Sequence, residues 1–212
     1  MGRRSIHTPE ELRELIIDAT TTIIEQDGLE GLSAREIAKR VGYSPGTLYN
    51  VFENLDDLLL IIEARLLEEL AARLAVTDAS GPPGDRLRRL VGAYFTFTQE
   101  RPKLWNLLNE HRLPAGREVP DWYDEKLDKL LAALEAALAP LLVGSDPTTR
   151  RRHARALWAS VHGMTSLSTA EKLSHVTAKS GPALVDDLVL TYLAGLRSLE
   201  IEEPVNVPMT RR

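Results

Sequence analysis

Apolar residues recur at spacings of three and four along almost the whole chain, and clusters of Pro and Gly divide them into segments. Strand-like alternation is nearly missing, so the pattern predicts an all-α fold. Thr8-Pro9-Glu10-Glu11 reads as an N-cap, a first-turn proline and a capping-box glutamate. Leu12, Leu15, Ile16, Ala19 and Ile23 then form one apolar stripe, and Asp27-Gly28 ends that helix. Ser33-Ala34-Arg35-Glu36 is a second capping box, opening a short helix that stops at Gly42. Ser44-Pro45 opens a third helix, predicted to reach about Phe52, and a long helix follows over about 55–76. Asp78-Ala79-Ser80-Gly81-Pro82-Pro83-Gly84 is a linker. Beyond it the pattern predicts helices at about 85–100, 102–111, 120–142, 147–172 and 182–201, with a frayed tail after them. The division expected is a three-helix head over 1–53, a long connecting helix with a larger helical body over 54–201, and a flexible tail over 202–212.

The segment from Ala34 to Phe52 carries the densest set of local signals. Two short helices meeting at a tight turn form a helix-turn-helix. Ala38 is small where the helices approach, and Gly42 can take the positive φ that ends the first of them. Ile37, Val41, Leu48 and Val51 can fill the shared core, while Ser44 can cap the second helix ahead of Pro45. Their agreement is stronger than any one of them.

Charge narrows how such a unit would meet nucleic acid. The 212-residue chain has a formal net charge of −5, which argues against non-specific coating of DNA. Basic residues are local: Arg3 and Arg4 near the start, and Arg35, Lys39 and Arg40 around the helix-turn-helix. A small, well-placed contact with modest phosphate neutralisation is expected. Cysteine is absent, which removes disulfides, thiolate nucleophiles and cysteine zinc sites and fits a reducing compartment. No apolar run is long enough to span a membrane, and no signal-peptide core follows the basic N-terminus, so the cytoplasm is the expected location. The histidines show no metal-binding spacing, and no nucleophile elbow or phosphate loop gathers catalytic groups, so neither enzyme, metal nor cofactor is expected.

Residues 33–52, with the preceding helix and Asp56-Asp57-Leu58-Leu59, resemble the DNA-binding core of TetR-type regulators over about 9–62. The string Ser44-Pro45-Gly46-Thr47-Leu48-Tyr49, closed by Phe52, carries most of that likeness. The chain departs from the family at Asn54-Leu55, where a phosphate-touching lysine is common. The resemblance implies that Gly46 and Thr47 face the major groove, flanked by Tyr43 and Asn50. It also implies that Tyr49 gives its hydroxyl to a phosphate, although a purely packing role is open to it. Ser33 suits a phosphate as well as a cap, and Arg35 could reach a guanine edge, a phosphate or only solvent. Arg3 and Arg4 could follow the backbone or enter the minor groove, or form a tail. A dimer reading a palindromic operator is expected, its heads about 34–36 Å apart.

In the body, Trp158, His162 and Gly163 resemble the Trp-x-x-x-His-Gly signature of one C-terminal domain class of the same family. The last two helices are expected to make the homodimer surface, through small residues Ala154, Ala159, Ser160 and Gly163. Leu184, Leu188, Val189, Tyr192, Leu193 and Leu196 would supply its apolar face. Aromatic residues with a few polar groups suggest a small-molecule pocket made of Tyr94, Phe97, Trp105, Asn109, His111, Trp122, Trp158 and His162, with core packing as the alternative for each. An apolar or aromatic effector there would push the long helix and loosen DNA, which would make the protein a repressor. A ligand-independent architectural or protein-interaction regulator is the competing expectation. Arg150-Arg151-Arg152 should pair with acids such as Asp186 and Asp187, with anion binding as the second reading.

Overall fold

The structure, a computed structural model, describes residues 7–77 and 80–202, the last four as helix backbone only. Arg3, Arg4, Asp78, Ala79 and residues 203–212 lie outside the described residues. Among the described residues nine α-helices and three short 3-10 turns make up the fold, and there is no strand.

The head begins with α1, Pro9–Asp27, whose capping box is complete. Glu11 N–H donates to Thr8 Oγ1 (3.1 Å) and Thr8 N–H donates to Glu11 Oε2 (2.8 Å), so two otherwise orphaned donors are satisfied. Its buried face is wider than the expected stripe and includes Ile17 and Ile24, while Leu15 is only half-buried. Helix α2, Ala34–Val41, is capped by Ser33, which accepts from Glu36 N–H (3.2 Å). Only this half of the second capping box forms, since the Glu36 carboxylate pairs with Lys39 instead (3.6 Å). Gly42 ends α2 at φ 76°, in the left-handed region that favours glycine.

Helix α3, Pro45–Leu48, is shorter than expected. Past Leu48 the chain tightens: Asn50 N–H donates to the Thr47 carbonyl (3.3 Å) and Phe52 N–H to that of Leu48 (2.9 Å). That turn delivers Phe52 into the core under the Arg13 guanidinium, 4.8 Å from the ring centroid. Ser44 occupies the cap position of α3 without capping it; its Oγ meets Thr47 Oγ1 at 3.0 Å.

Helix α4, Leu55–Ala75, starts on Asn54, whose Oδ1 accepts from Asp57 N–H (2.9 Å). It is buried around most of its circumference, from Leu58 to Leu74, because α1, α5, α6 and α7 all pack on it. The body comprises α5 (Pro83–Glu100), α6 (Pro102–Glu110), α7 (Asp121–Leu138), α8 (Pro147–Thr169) and α9 (Gly181–Glu202). Helix α5 begins inside the expected linker, with Pro82 before it and Pro83 in its first turn. Helix α8 stops short of the expected 172, where Lys172 N–H folds back to the Leu167 carbonyl (2.8 Å) and Glu171 takes φ 58°.

Head and body share one continuous core, running from Leu12 through Phe52, Leu70 and Trp105 to Leu193. Surface pairs reinforce the contact: Arg65–Glu14 at 2.7 Å, and Arg101 with both Glu25 (3.7 Å) and Glu69.

The apolar stripe of α9 differs from the expected dimer face. Val185, Val189, Leu193 and Leu196 are buried within the subunit, against α5 and α8, and Ala154 of α8 is fully enclosed. Leu184, Leu188 and Tyr192 are half-buried, and Tyr192 Oη is engaged by His153 Nδ1 (2.6 Å). What α8 and α9 leave outside is the opposite face: Ala156, Ala159, Ser160 and Gly163, with Leu190, Thr191, Ala194, Gly195 and Ser198. The arginine cluster also pairs differently: Arg151 meets Glu135 (3.6 Å), while Asp186 and Asp187 are held by Arg88 and Lys179. Arg150 donates to the Ser145 carbonyl just ahead of α8.

Candidate DNA-reading surface and effector cavity

The helix-turn-helix presents one continuous exposed surface. Ser33, Arg35, Ser44, Gly46, Tyr49 and Asn50 are exposed, and Tyr43 and Thr47 are half-buried beside them. Leu48 and Phe52, from the same segment, point into the core and fix the outer face by elimination. Tyr49 is the large side chain here that packing does not claim, with 52% of its surface exposed. A Cβ at Gly46 would meet nothing closer than Ser44 Oγ at 3.8 Å. The fold therefore does not require glycine there, and bare backbone is presented outward. Tyr43 is fixed by His7, whose Nδ1 lies 2.8 Å from its hydroxyl. His7 is 36 positions away in sequence, so no local signal could find it. Arg40 is drawn toward α1, donating to Gln26 Oε1 (2.7 Å).

A second feature lies where the body grips α4. His111 Nδ1 is 2.6 Å from Glu63 Oε1 and its Nε2 is 3.3 Å from Asp56 Oδ1. Tyr123 Oη donates to Glu63 Oε2 (2.9 Å), and Arg117 Nη1 donates to Asn54 Oδ1 (2.8 Å) and lies 3.6 Å from Asp56. Glu63 is buried, at 4% exposure, so its carboxylate depends on these partners. The Glu63 hydrogen bond holds His111 above the usual histidine range, against the opposing pull of burial. His111 is thus committed to α4, and Trp122 is half outside, edge-on to Tyr123.

The remaining expected pocket residues gather in the body. A small, partly open cavity of about 30 Å³ is walled by Leu74, Leu90, Val91, Tyr94, Leu130, Leu131, Leu134, Leu157, Trp158 and Val161. Tyr94 and Trp158 were expected there; the aliphatic walls come from four helices and have no sequence signal beyond helical spacing. Trp105 stands edge-on to Tyr94 (5.6 Å), Phe97 (6.2 Å) and His162 (5.8 Å), and His162 stacks on Trp158 (4.9 Å). Leu131 and Trp158 also wall an open surface groove between α7 and α8.

Behind the cavity runs a polar chain. Tyr94 Oη is 2.9 Å from His162 Nδ1, and His162 Nε2 is 2.9 Å from Asn109 Oδ1. With the Asn109 oxygen as acceptor, Nε2 carries the proton and Tyr94 donates to Nδ1. Burial lowers the His162 pKa, which keeps the ring neutral. Burial also pushes the Tyr94 hydroxyl well up, with Thr165 and Trp158 nearby pulling the other way. Among the described residues no acidic or histidine cluster could hold a metal, and no helix is long and apolar enough to cross a membrane.

An all-helical chain with an exposed helix-turn-helix on a longer helical body defines a DNA-binding transcription regulator. Residues 16–62 match the family model for bacterial regulatory proteins of the tetR family. Residues 87–205 match the model of a tetracyclin repressor-like C-terminal domain. The chain belongs to the TetR family of transcription regulators, which are not enzymes. It is 35% identical over 147 residues to the HTH-type transcriptional repressor KstR of Mycolicibacterium smegmatis, covering 68% of this chain and 69% of that one. It is 28% identical over 131 residues to the nicotine-responsive repressor HdnoR of Paenarthrobacter nicotinovorans, covering 57% of this chain and 68% of the relative. Its fold is that of the TetR regulator SCO7222 of Streptomyces coelicolor (TM-score 0.64, 17% identity, 88% and 98% of the two chains). The fatty acid degradation regulator FadR of Bacillus halodurans shares the fold too (TM-score 0.61, 19% identity, 87% and 96%).

Proposed function

We propose that this protein is a cytoplasmic, dimeric repressor that binds a palindromic operator through α2 and α3 and is released by a small apolar effector. The observation that carries the DNA role is the exposed surface of Gly46, Tyr49 and Asn50, which the packing of the chain leaves unclaimed, with Thr47 half-buried among them. Small groups at Gly46 and Thr47 let backbone approach base edges, and Tyr49 and Ser33 are placed for phosphates. Arg35 is exposed beside them, and Arg3 and Arg4 are proposed to extend the phosphate contact. KstR and HdnoR are repressors by name, which supports repression as the mode of action.

The second copy is proposed to sit on the exposed face of α8 and α9. A Cβ at Gly163 or Gly195 would meet nothing within 4 Å in the single chain. Helical glycine costs about 0.5–1 kcal/mol relative to alanine, so smallness at both positions calls for a neighbour outside the subunit.

The effector is proposed to occupy the cavity around Tyr94 and Trp158, with Phe97, Trp105, His162 and Asn109 supporting its wall. His111 belongs to the grip on α4 and is proposed as a relay rather than a contact, and Trp122, exposed and edge-on to Tyr123, is not proposed as a contact. The cavity reaches α4 through Leu74. At about 30 Å³ it must open to admit an effector, and the wall shared with the α7–α8 groove is the proposed entrance. The compactness of the cavity also favours, as a second reading, a regulator that needs no ligand.

The test of the DNA role is Tyr49→Phe, measured by fluorescence anisotropy on a selected operator and on scrambled DNA. Affinity is expected to fall about three- to tenfold on both, as a lost phosphate hydrogen bond requires. A changed sequence preference with intact affinity would overturn the assignment. For the effector, reciprocal coupling means that saturating operator must weaken ligand binding by the factor by which ligand weakens DNA binding. Equal ligand affinity with and without operator favours the ligand-independent reading.

A further inference from the structure

The Tyr43 hydroxyl is held from outside the helix pair that carries it. His7 Nδ1 lies 2.8 Å from Tyr43 Oη, and the two rings meet at 51° with centroids 6.0 Å apart. Backbone fixes both ends of that contact. Tyr43 follows Gly42 in the turn between α2 and α3, where its N–H donates to the Ala38 carbonyl (2.9 Å). His7 stands one residue ahead of Thr8, the N-cap whose capping box opens α1. The Tyr43 ring packs against the core, and phenylalanine would serve that purpose as well. The hydroxyl is the part that packing does not use.

The polarity of the bond decides what that hydroxyl can do next. A phenol has one proton to donate and lone pairs with which to accept, and a phosphate oxygen only accepts. If Tyr43 donates to His7, nothing is left for a phosphate. If His7 Nδ1–H donates to Tyr43 Oη, the phenol proton is free to turn outward. A histidine ring permits both, since either nitrogen can carry the proton and the partners select which. The surroundings favour one side for DNA. Just past Tyr43, Ser44 and Gly46 are exposed and Thr47 is half-buried. His7 instead shares an open groove with Glu10, Glu11, Glu14, Leu15 and Asp18. Four carboxylates there repel a phosphate backbone, so approach from the Tyr43 side is favoured.

We infer that His7 is a positioning residue for DNA binding: in the complex its Nδ1–H donates to Tyr43 Oη and so turns the Tyr43 O–H onto a backbone phosphate. This rests on Tyr43 standing at the DNA-reading surface. His7 acts without touching DNA. Because a phosphate contact carries no base information, the pair raises affinity for all sequences alike.

A double-mutant cycle of His7→Phe and Tyr43→Phe in the full chain tests this, by anisotropy on an operator selected from random duplex DNA and on a scrambled duplex. Both substitutions keep a ring where a ring was. Each single variant is expected to lower affinity about three- to tenfold on both duplexes, and the double variant no further than either one. His7→Asn, whose amide N–H can take the place of Nδ1–H, should bind within about twofold of the unaltered protein. A second measurement needs no variant to fold well except to assign signals. Long-range 1H–15N spectra of the unaltered protein labelled with 15N-histidine, with His7→Asn identifying the His7 peaks, should show a protonated Nδ1 once operator is added. A bare Nδ1 in the complex overturns the inference. So does undiminished affinity of His7→Phe beside a weakened Tyr43→Phe, which leaves Tyr43 as a DNA contact in its own right. Additive losses in the double variant place the effect of His7 elsewhere and overturn it too. Undiminished affinity of Tyr43→Phe removes that hydroxyl from the interface, and the inference with it.

Discussion

Gly46 illustrates how a single residue can be read for function once its neighbours are known. Helix interiors disfavour glycine, the backbone here needs no positive φ, and a Cβ would have room. Replacing it with alanine is expected to leave the thermal midpoint unchanged or slightly higher and to lower operator affinity at least tenfold if backbone approaches a base. Differential scanning fluorimetry and anisotropy on the same samples measure the two effects, and unchanged DNA binding would remove Gly46 from the interface. From sequence, Gly46 was legible only through resemblance. The same holds for Tyr49: amphipathic pattern alone left packing open, and its 52% exposure is what frees it for a partner. Ser44 shows the reverse, a residue whose position was legible and whose bond was not, because its hydroxyl turned to Thr47 (3.0 Å) rather than to a backbone N–H.

At the scale of elements, helix starts were legible almost everywhere because caps and prolines are local: Thr8-Pro9, Ser44-Pro45 and Asp146-Pro147 all begin helices where the pattern places them. Helix faces were less so. The apolar stripe of α9 is real, yet one chain cannot say whether its partner is another subunit or α5; here α5 and α8 cover it. His111 was legible as a polar group near aromatics, but its partners on α4 lie 48 and 55 positions away. Those partners give α4 a pH-dependent anchorage. Pairing with Glu63 raises the folded-state pKa of His111 above its ordinary value of 6.5. The stability this contributes is therefore fully present below 6.5 and is lost as pH rises through the folded-state value. The urea midpoint of the unaltered protein is expected to fall from pH 6 toward pH 9 more steeply than that of His111→Gln, with Glu63, Asp56, Tyr123 and Arg117 as the facing groups. Parallel curves would show that His111 does not carry this dependence. At fixed pH 6, His111→Ala should cost about 3–5 kcal/mol, because it strands the Glu63 carboxylate.

For the whole molecule, the separation into head and body legible in the Pro/Gly pattern is a separation of chain, and the core runs across it. The proposed dimer is where this matters for function, since its two heads would have to meet successive major grooves. Gly195→Arg points a long charged side chain from the exposed face of α9 with no clash inside the subunit. Sedimentation at micromolar concentration is expected to give a monomer with an unchanged helical spectrum, and operator binding should be lost. A dimeric Gly195→Arg variant would exclude this face.

The grip on α4 also decides where this chain can be cut and rejoined. Asp56 and Glu63 stand on one side of the grip, and His111, Arg117 and Tyr123 on the other. A hybrid regulator joined in the 76–82 segment would graft a foreign α4 onto these three residues and leave a buried acid or its partners orphaned. Joined just ahead of Asn54, the same hybrid keeps every member of the set with its own neighbours. Exchange of DNA specificity between relatives, by engineering or by recombination, should therefore succeed at the earlier junction and fail at the later one, although the latter looks like the natural seam.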